Sequence, residues 1–236
     1  MLKKLLVLFV LFTVPIAYAN EAEIKKTLEA KFPQAKVDKV TKTPYFGLYE
    51  VFMDKQLFYT DEKVSYIFLG NIIDAKTNQN ITQQRLAKLT AIPFDSLPLD
   101  LAIKTVRGNG SRKVAVFSDP DCPFCRRLEK ELANVTDVTI YTFLYPIPSL
   151  HPDAAEKAKA VWCSPDRVKA WDDLMLRGIA PSAPASCANP VDKLMALGEK
   201  HRIFGTPTLI FPDGTVVPGA VPLAQLEKML GATKSN

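Results

Sequence analysis

Apolar and polar residues alternate at two different periods along this chain, and the change of period divides it. Between residues 21 and 32, Ile24, Leu28 and Phe32 recur at i, i+4 and i+8, the spacing of one helix face. Asn20 with Glu23 resembles a capping box, and Pro33 ends the segment. From Val37 to Ile73 aromatic and β-branched residues dominate. Residues 48–52, 56–60 and 64–69 each predict a strand, joined by tight turns. Together they make a small antiparallel sheet of about fifty residues, a size that buries too little surface to be stable alone. Dimerisation repairs that, and the edge strand at 64–69 is a natural place for it.

Residues 82–90 predict a connecting helix with Leu86 and Leu89 on one face. Pro93 and Pro98 then interrupt the chain, which places a domain boundary within residues 78–100. A strand at 101–106, the turn Gly108-Asn109-Gly110 and a strand at 113–117 read as a hairpin. A helix follows, with Leu128, Leu132 and Val135 as its buried stripe, and then a strand at 138–144. Residues 153–162, 166–176 and 191–202 carry helical patterns, with a Pro- and Ala-rich loop at 180–190. A strand at 208–211, the turn Pro212-Asp213-Gly214, a strand at 215–217 and a helix at 223–230 complete the chain. Strand, helix, strand, helical insertion, hairpin, helix is a thioredoxin-type order with a helical subdomain inserted at about 152–203. The expected fold class is α+β, with residues 20–78 as the N-terminal sheet domain, 79–100 as linker helix and connector, and 101–236 as the thioredoxin-like domain.

Residues 1–19 read as a cleavable leader. Lys3 and Lys4 form a basic start, residues 5–14 are apolar, and Ala17-Tyr18-Ala19 is a small-x-small cleavage site. The apolar stretch is short for a membrane span. The mature chain is expected to begin near Asn20 in an oxidising compartment, read as the periplasm. Removing the two lysines takes the formal charge from +5 to +3, and no basic cluster argues for nucleic acid.

The chemistry concentrates at Cys122-Pro123-Phe124-Cys125, between the strand 113–117 and the following helix. Cys122 falls at the helix start, where free N–H groups and the positive dipole end favour a thiolate. Pro123 fits the first turn, where its missing N–H costs nothing. Cys125, one turn in, is expected to be buried and less acidic. Cys122 would attack a substrate disulfide and Cys125 would resolve the mixed disulfide. Four cysteines allow three pairings; the close pair suggests chemistry, and Cys163 with Cys187 suggests a staple. A zinc site needs two more ligands in a second close pair, which Cys163 and Cys187 do not form. His151 and His201 lack ligand spacing and read as surface residues; neither metal nor cofactor is expected. In a thioredoxin-type order, Gly205-Thr206-Pro207-Thr208 holds the cis-proline loop that faces the cysteines and would hydrogen-bond an extended peptide.

These motifs resemble the DsbC/DsbG family of thiol:disulfide interchange proteins. The likeness rests on Val116-Phe117-Ser118-Asp119 leading into the cysteine pair and on Asp153-Ala154-Ala155-Glu156-Lys157 running into Ala160-Val161-Trp162-Cys163. It also rests on Ala183-Pro184-Ala185-Ser186-Cys187, on Gly205-Thr206-Pro207-Thr208, and on Asp213-Gly214-Thr215 followed by Val217-Pro218-Gly219. The resemblance implies a V-shaped homodimer joined through its N-terminal domains. It implies a disulfide isomerase or reductase with chaperone-like binding of misfolded, disulfide-containing secreted proteins, kept reduced by a membrane reductase of the DsbD type. It implies a substrate-binding role for Thr206, Pro207 and Phe124, and a structural disulfide between Cys163 and Cys187. A DsbG-like reductase guarding single thiols against sulfenic acid, and a non-catalytic holdase, are the alternatives. A monomeric DsbA-like oxidant would leave the N-terminal sheet without a role. Pro123-Phe124 departs from the Gly-Tyr usual in DsbC and the Pro-Tyr of DsbG, so redox poise does not carry over. The buried aspartate that most thioredoxins place six residues before the first cysteine is Val116 here, which predicts slow resolution by Cys125.

Overall fold

A computed structural model of the protein describes residues 17–232. The expected leader at 1–19 lies outside them, except for the backbone of Ala17, Tyr18 and Ala19. The chain forms two compact units, one reaching to Leu89 and the other starting at Thr90.

The first unit opens with α1 (Ala17–Lys31) and continues through β1 (Val37–Lys42), β2 (Tyr49–Met53), β3 (Gln56–Thr60) and β4 (Ile67–Phe68). These four strands form one antiparallel sheet in chain order. A short ribbon of β5 (Ile73–Asp74) and β6 (Gln79–Asn80) leads into α2 (Ile81–Thr90). Ile24 and Leu28 of α1 are buried with Val37, Tyr49, Val51 and Phe58, as their i, i+4 spacing predicts. Each such side chain contributes about 1.5–3 kcal/mol of burial. On β2, Glu50 is buried against the fork of Arg85 from α2, with Nε–Oε2 at 3.0 Å and Nη2–Oε1 at 2.6 Å. Two parallel charge-assisted bonds fix helix to sheet in one orientation.

Three expectations for this unit need correction. α1 begins before Asn20, so no capping box forms. The Asn20 amide instead donates to Glu62 at 2.7 Å. Phe32 lies past the helix end and stays exposed. The strand expected over residues 64–69 shrinks to two residues. The Asp61 carboxylate accepts backbone N–H bonds from Lys63, Ser65 and Tyr66, and Val64 turns to φ +54°. Those donors are lost to the ladder until Ile67.

The second unit passes through two 3-10 turns to β7 (Ile103–Arg107), β8 (Arg112–Ser118), α3 (Pro123–Leu132) and β9 (Val138–Leu144). It then runs through α4 (Ala154–Cys163), α5 (Arg167–Arg177), α6 (Val191–Lys200), β10 (Thr208–Ile210), β11 (Val216–Pro218) and α7 (Leu223–Ala232). The sheet order is β11-β10-β8-β9-β7, with β8 and β9 parallel and the other pairs antiparallel. The hairpin expected between β7 and β8 is therefore absent, because β9 lies between them. The connection crosses the start of β9 at Asp137, whose carboxylate accepts from Asn109 N–H and whose carbonyl accepts from Arg112 N–H. Gly108 permits the crossing: at φ +58°, a Cβ there would stand 2.3 Å from the Asp137 carboxylate.

The strand period of two sorts the central residues between two faces. Val114 and Val116 of β8 pack with Leu128 and Leu132 of α3 and Leu226 and Leu230 of α7. Ala115 and Phe117 face the other way, toward Val161 and Trp162 of α4, Leu174 of α5 and Leu194 of α6. The inserted helices therefore cover one face and α3 with α7 the other. Gly198 of α6 allows close packing on Tyr145, whose ring would lie 2.2 Å from a Cβ at that position. Among the described residues no helix is long and apolar enough to cross a membrane.

Candidate thiol site

β8 ends at Ser118, and after four intervening residues the chain enters α3 at Pro123. Cys122 occupies the position before the first helical residue in an extended conformation, with Pro123 in the first turn. Its N–H donates to the Asp119 carbonyl at 3.2 Å, and its own carbonyl accepts from Arg126 at 3.1 Å. Cys122 and Cys125 are both free thiols, Cys125 fully buried and Cys122 nearly so. The N–H of Asp119 donates to the Cys125 sulfur at 3.4 Å.

The second wall comes from the far end of the chain. Thr208 of β10 pairs with Phe117 of β8, which sets the preceding Thr206-Pro207 segment beside the cysteines. The Thr206–Pro207 peptide is cis. The Cys122 thiol donates to the Thr206 carbonyl at 3.3 Å.

The two sulfurs are driven apart in acidity. Cys122 is lowered to about 5, first by a hydrogen bond from Cys125 and then by the Thr206 side chain and the N–H groups of Cys125 and Phe124; its partial burial opposes them. Cys125 is pushed far up, first by burial and then by the charge and hydrogen bond of Cys122. One thiol is thus a nucleophile near neutral pH and the other a protonated reserve. Val116, at the position where a buried acid would assist the second thiol, is wholly buried among aliphatic side chains.

Residues that the sequence pattern did not single out complete the surroundings. The fully buried Asp119 carboxylate accepts from Asp121 N–H at 2.8 Å and Ile147 N–H at 2.7 Å, and lies 3.1 Å from His151 Nδ1. His151 is therefore a partly buried partner of Asp119, which corrects its reading as a surface residue. Lys157 of α4 grips both Asp121 oxygens at 2.7 and 2.9 Å, tying the inserted helices to the loop before Cys122. The pairings of Asp119 with Ile147 and His151 and of Lys157 with Asp121 have no local sequence signal, because the partners lie 28 to 36 positions apart. Phe124 is exposed between the cysteines, and Phe204 and Leu150 are exposed as well. Cys163 and Cys187 form a disulfide away from this site, at the end of α4. Among the described residues no cluster of His, Cys, Asp or Glu is placed to hold a metal ion.

Residues 99–234 match the thioredoxin-like domain family, and residues 15–83 match the N-terminal domain of disulfide bond isomerase proteins. The chain is 47% identical over 207 residues to a probable thiol:disulfide interchange protein DsbC of Bordetella avium, covering 88% of this chain and 73% of that one. It is 31% identical to the thiol:disulfide interchange protein DsbC of Dickeya dadantii, over 100% of this chain and 98% of that one. A crystal structure of a disulfide interchange protein from Neisseria gonorrhoeae aligns with a TM-score of 0.57 at 54% identity, over 59% of this chain and 100% of the other. With a dithiol split into an acidic and a buried sulfur on a thioredoxin-like sheet, and with relatives of this identity along its length, the chain belongs to the DsbC family of thiol:disulfide interchange proteins.

Proposed function

We propose that the protein is a periplasmic disulfide isomerase whose attacking sulfur is Cys122 and whose resolving sulfur is Cys125. The observation that carries the reading is the pairing of a low-pKa, N-terminal Cys122 with the Thr206 backbone. Cys122 thiolate attacks a substrate disulfide, forming a mixed disulfide and releasing the second substrate sulfur as thiolate. That thiolate can attack elsewhere in the substrate and, at the end, displace Cys122, which leaves the protein unchanged and the substrate rearranged. Where the substrate stalls, Cys125 attacks Cys122 and frees the substrate reduced. Thr206 and Pro207 line the side on which an extended substrate strand would lie, and exposed Phe124 offers it an apolar contact. The Cys163–Cys187 bond stays outside the chemistry and braces the inserted helices.

Each escape through Cys125 oxidises the pair, so the cycle needs a reductant. A membrane reductase of the DsbD type is the partner this reading assigns. Its substrates are secreted proteins with non-native disulfides. The N-terminal unit supports a homodimer: β4 is a sheet edge, and Tyr66, Ile67, Phe68 and Leu69 beside it are exposed.

The test is refolding of scrambled ribonuclease by the wild-type protein and by Cys122→Ala. The reading expects recovery of ribonuclease activity with wild type and none above background with the variant. Equal recovery by both would leave a holdase without thiol chemistry.

A further inference from the structure

We propose that Ser118 is a catalytic residue for the resolving step, its hydroxyl stabilising the Cys125 thiolate as that sulfur attacks Cys122. This deepens the thiol-exchange reading above and rests on it.

Ser118 is the last residue of β8, 1% exposed, with its backbone carbonyl occupied by the Tyr145 N–H at 2.8 Å. Its side-chain oxygen is buried and has no hydrogen-bond partner in the resting dithiol. Buried polar atoms are nearly always paired, so an orphan calls for an explanation. The hydroxyl favours the ionised form of the buried Cys125 thiol. The next residue's N–H points at the same sulfur. A hydroxyl hydrogen rotates freely, so Ser118 can turn a donor toward a charge that appears only during reaction. The oxygen is fixed by burial and only its hydrogen has to turn, so little has to reorganise when the charge forms.

Beside the Asp119 N–H, the surroundings leave this task to Ser118. Val116, which precedes it on β8, is apolar. The Asp119 carboxylate is already occupied by Asp121 N–H, Ile147 N–H and His151. The Cys122 thiolate, which raises the Cys125 pKa in the resting state, is neutralised once Cys122 is tied into a mixed disulfide. Then Cys125 gives up its proton, the Cys122–Cys125 bond forms, and the bond from Cys122 to the substrate breaks. The departing substrate sulfur takes up a proton, so charge and electrons balance with the substrate reduced and the pair oxidised.

The experiment uses the full-length reduced protein and oxidised glutathione in single-turnover mixing with acid quench and mass spectrometry. This separates formation of the Cys122–glutathione adduct from its decay to the internal disulfide. For Ser118→Ala, adduct decay is expected to slow about tenfold below the Cys125 pKa, with its pH midpoint raised by about one unit. Adduct formation should change little, and Ser118→Thr should restore decay. Decay unchanged in Ser118→Ala, slowing shared equally by both steps, or no rescue by threonine would each overturn the assignment. Absence of any adduct in the wild type would instead overturn the thiol-exchange reading beneath it.

Discussion

The carbonyl oxygen of Thr206 stands 3.3 Å from the Cys122 sulfur, across 84 positions of chain. The contact is made by sheet register: β10 antiparallel to β8 places Thr208 against Phe117, so the chain before β10 meets the chain after β8. A peptide group that could pair with substrate backbone is thereby held at the attacking atom. The Thr206 side chain also favours the Cys122 thiolate.

Replacing Thr206 by valine keeps the shape and removes the hydroxyl. The Cys122 pKa should then rise toward the free-thiol range. Alkylation of the reduced protein by iodoacetamide, followed against pH, reads this directly. Wild type should stay reactive down to about pH 5, with the variant's midpoint displaced upward. Coincident midpoints would mean that the hydroxyl has no electrostatic part in the site.

Glu129, one turn after Cys125 on α3, is fully buried and accepts the Trp171 indole N–H at 2.9 Å. Burial lifts its pKa to about 7, with Asp172 adding to the rise and Trp171 and Arg107 opposing it. Because the folded value lies above the unfolded one, the protonated form favours folding. Its contribution is fully present below about pH 4.5 and is lost as pH rises through about 7. Glu129→Gln keeps an acceptor for Trp171 and removes the charge. Urea unfolding should show the variant equal to wild type near pH 4.5 and more stable at pH 8, by on the order of 3 kcal/mol. A constant difference across that range would show that Glu129 is not the titrating group.

The Cys163–Cys187 disulfide closes a separation of 24 residues within the inserted helices. Changing both cysteines to serine should cost the catalytic unit roughly 3 kcal/mol on loop-closure grounds. Alkylation of Cys122 in the folded variant should keep its wild-type rate, because the bond lies away from the thiol site. A large loss of Cys122 reactivity at temperatures where the variant is folded would contradict a purely structural role.

Much of this arrangement is legible in local pattern and some of it is not. β3 and β9 have the bounds that their apolar runs predict, and Leu128 and Leu132 of α3 are buried as their spacing predicts, with Val135 buried beside them but past the helix end. Cys122 and Pro123 mark their helix start by residue type alone. The readings that failed did so where distant partners decide the outcome. Gly108-Asn109-Gly110 has good hairpin chemistry, yet β7 pairs with β9 because Asp137 gathers the donors of that crossing. Residues 64–66 have strand composition, yet Asp61 takes their N–H groups, that of Val64 at its carbonyl and those of Ser65 and Tyr66 at its carboxylate. His151 has no spacing that announces a partner, and its partner, Asp119, is 32 positions away.

The most direct measurement of the central claim is capture of the reaction intermediate. Full-length Cys125→Ser and Cys122→Ser variants are mixed with a scrambled-disulfide protein, quenched with acid, and run on non-reducing gels with peptide mapping. The account predicts a stable mixed disulfide at Cys122 in Cys125→Ser and no adduct in Cys122→Ser. An adduct at Cys125 in Cys122→Ser, or none at Cys122 in Cys125→Ser, would contradict it.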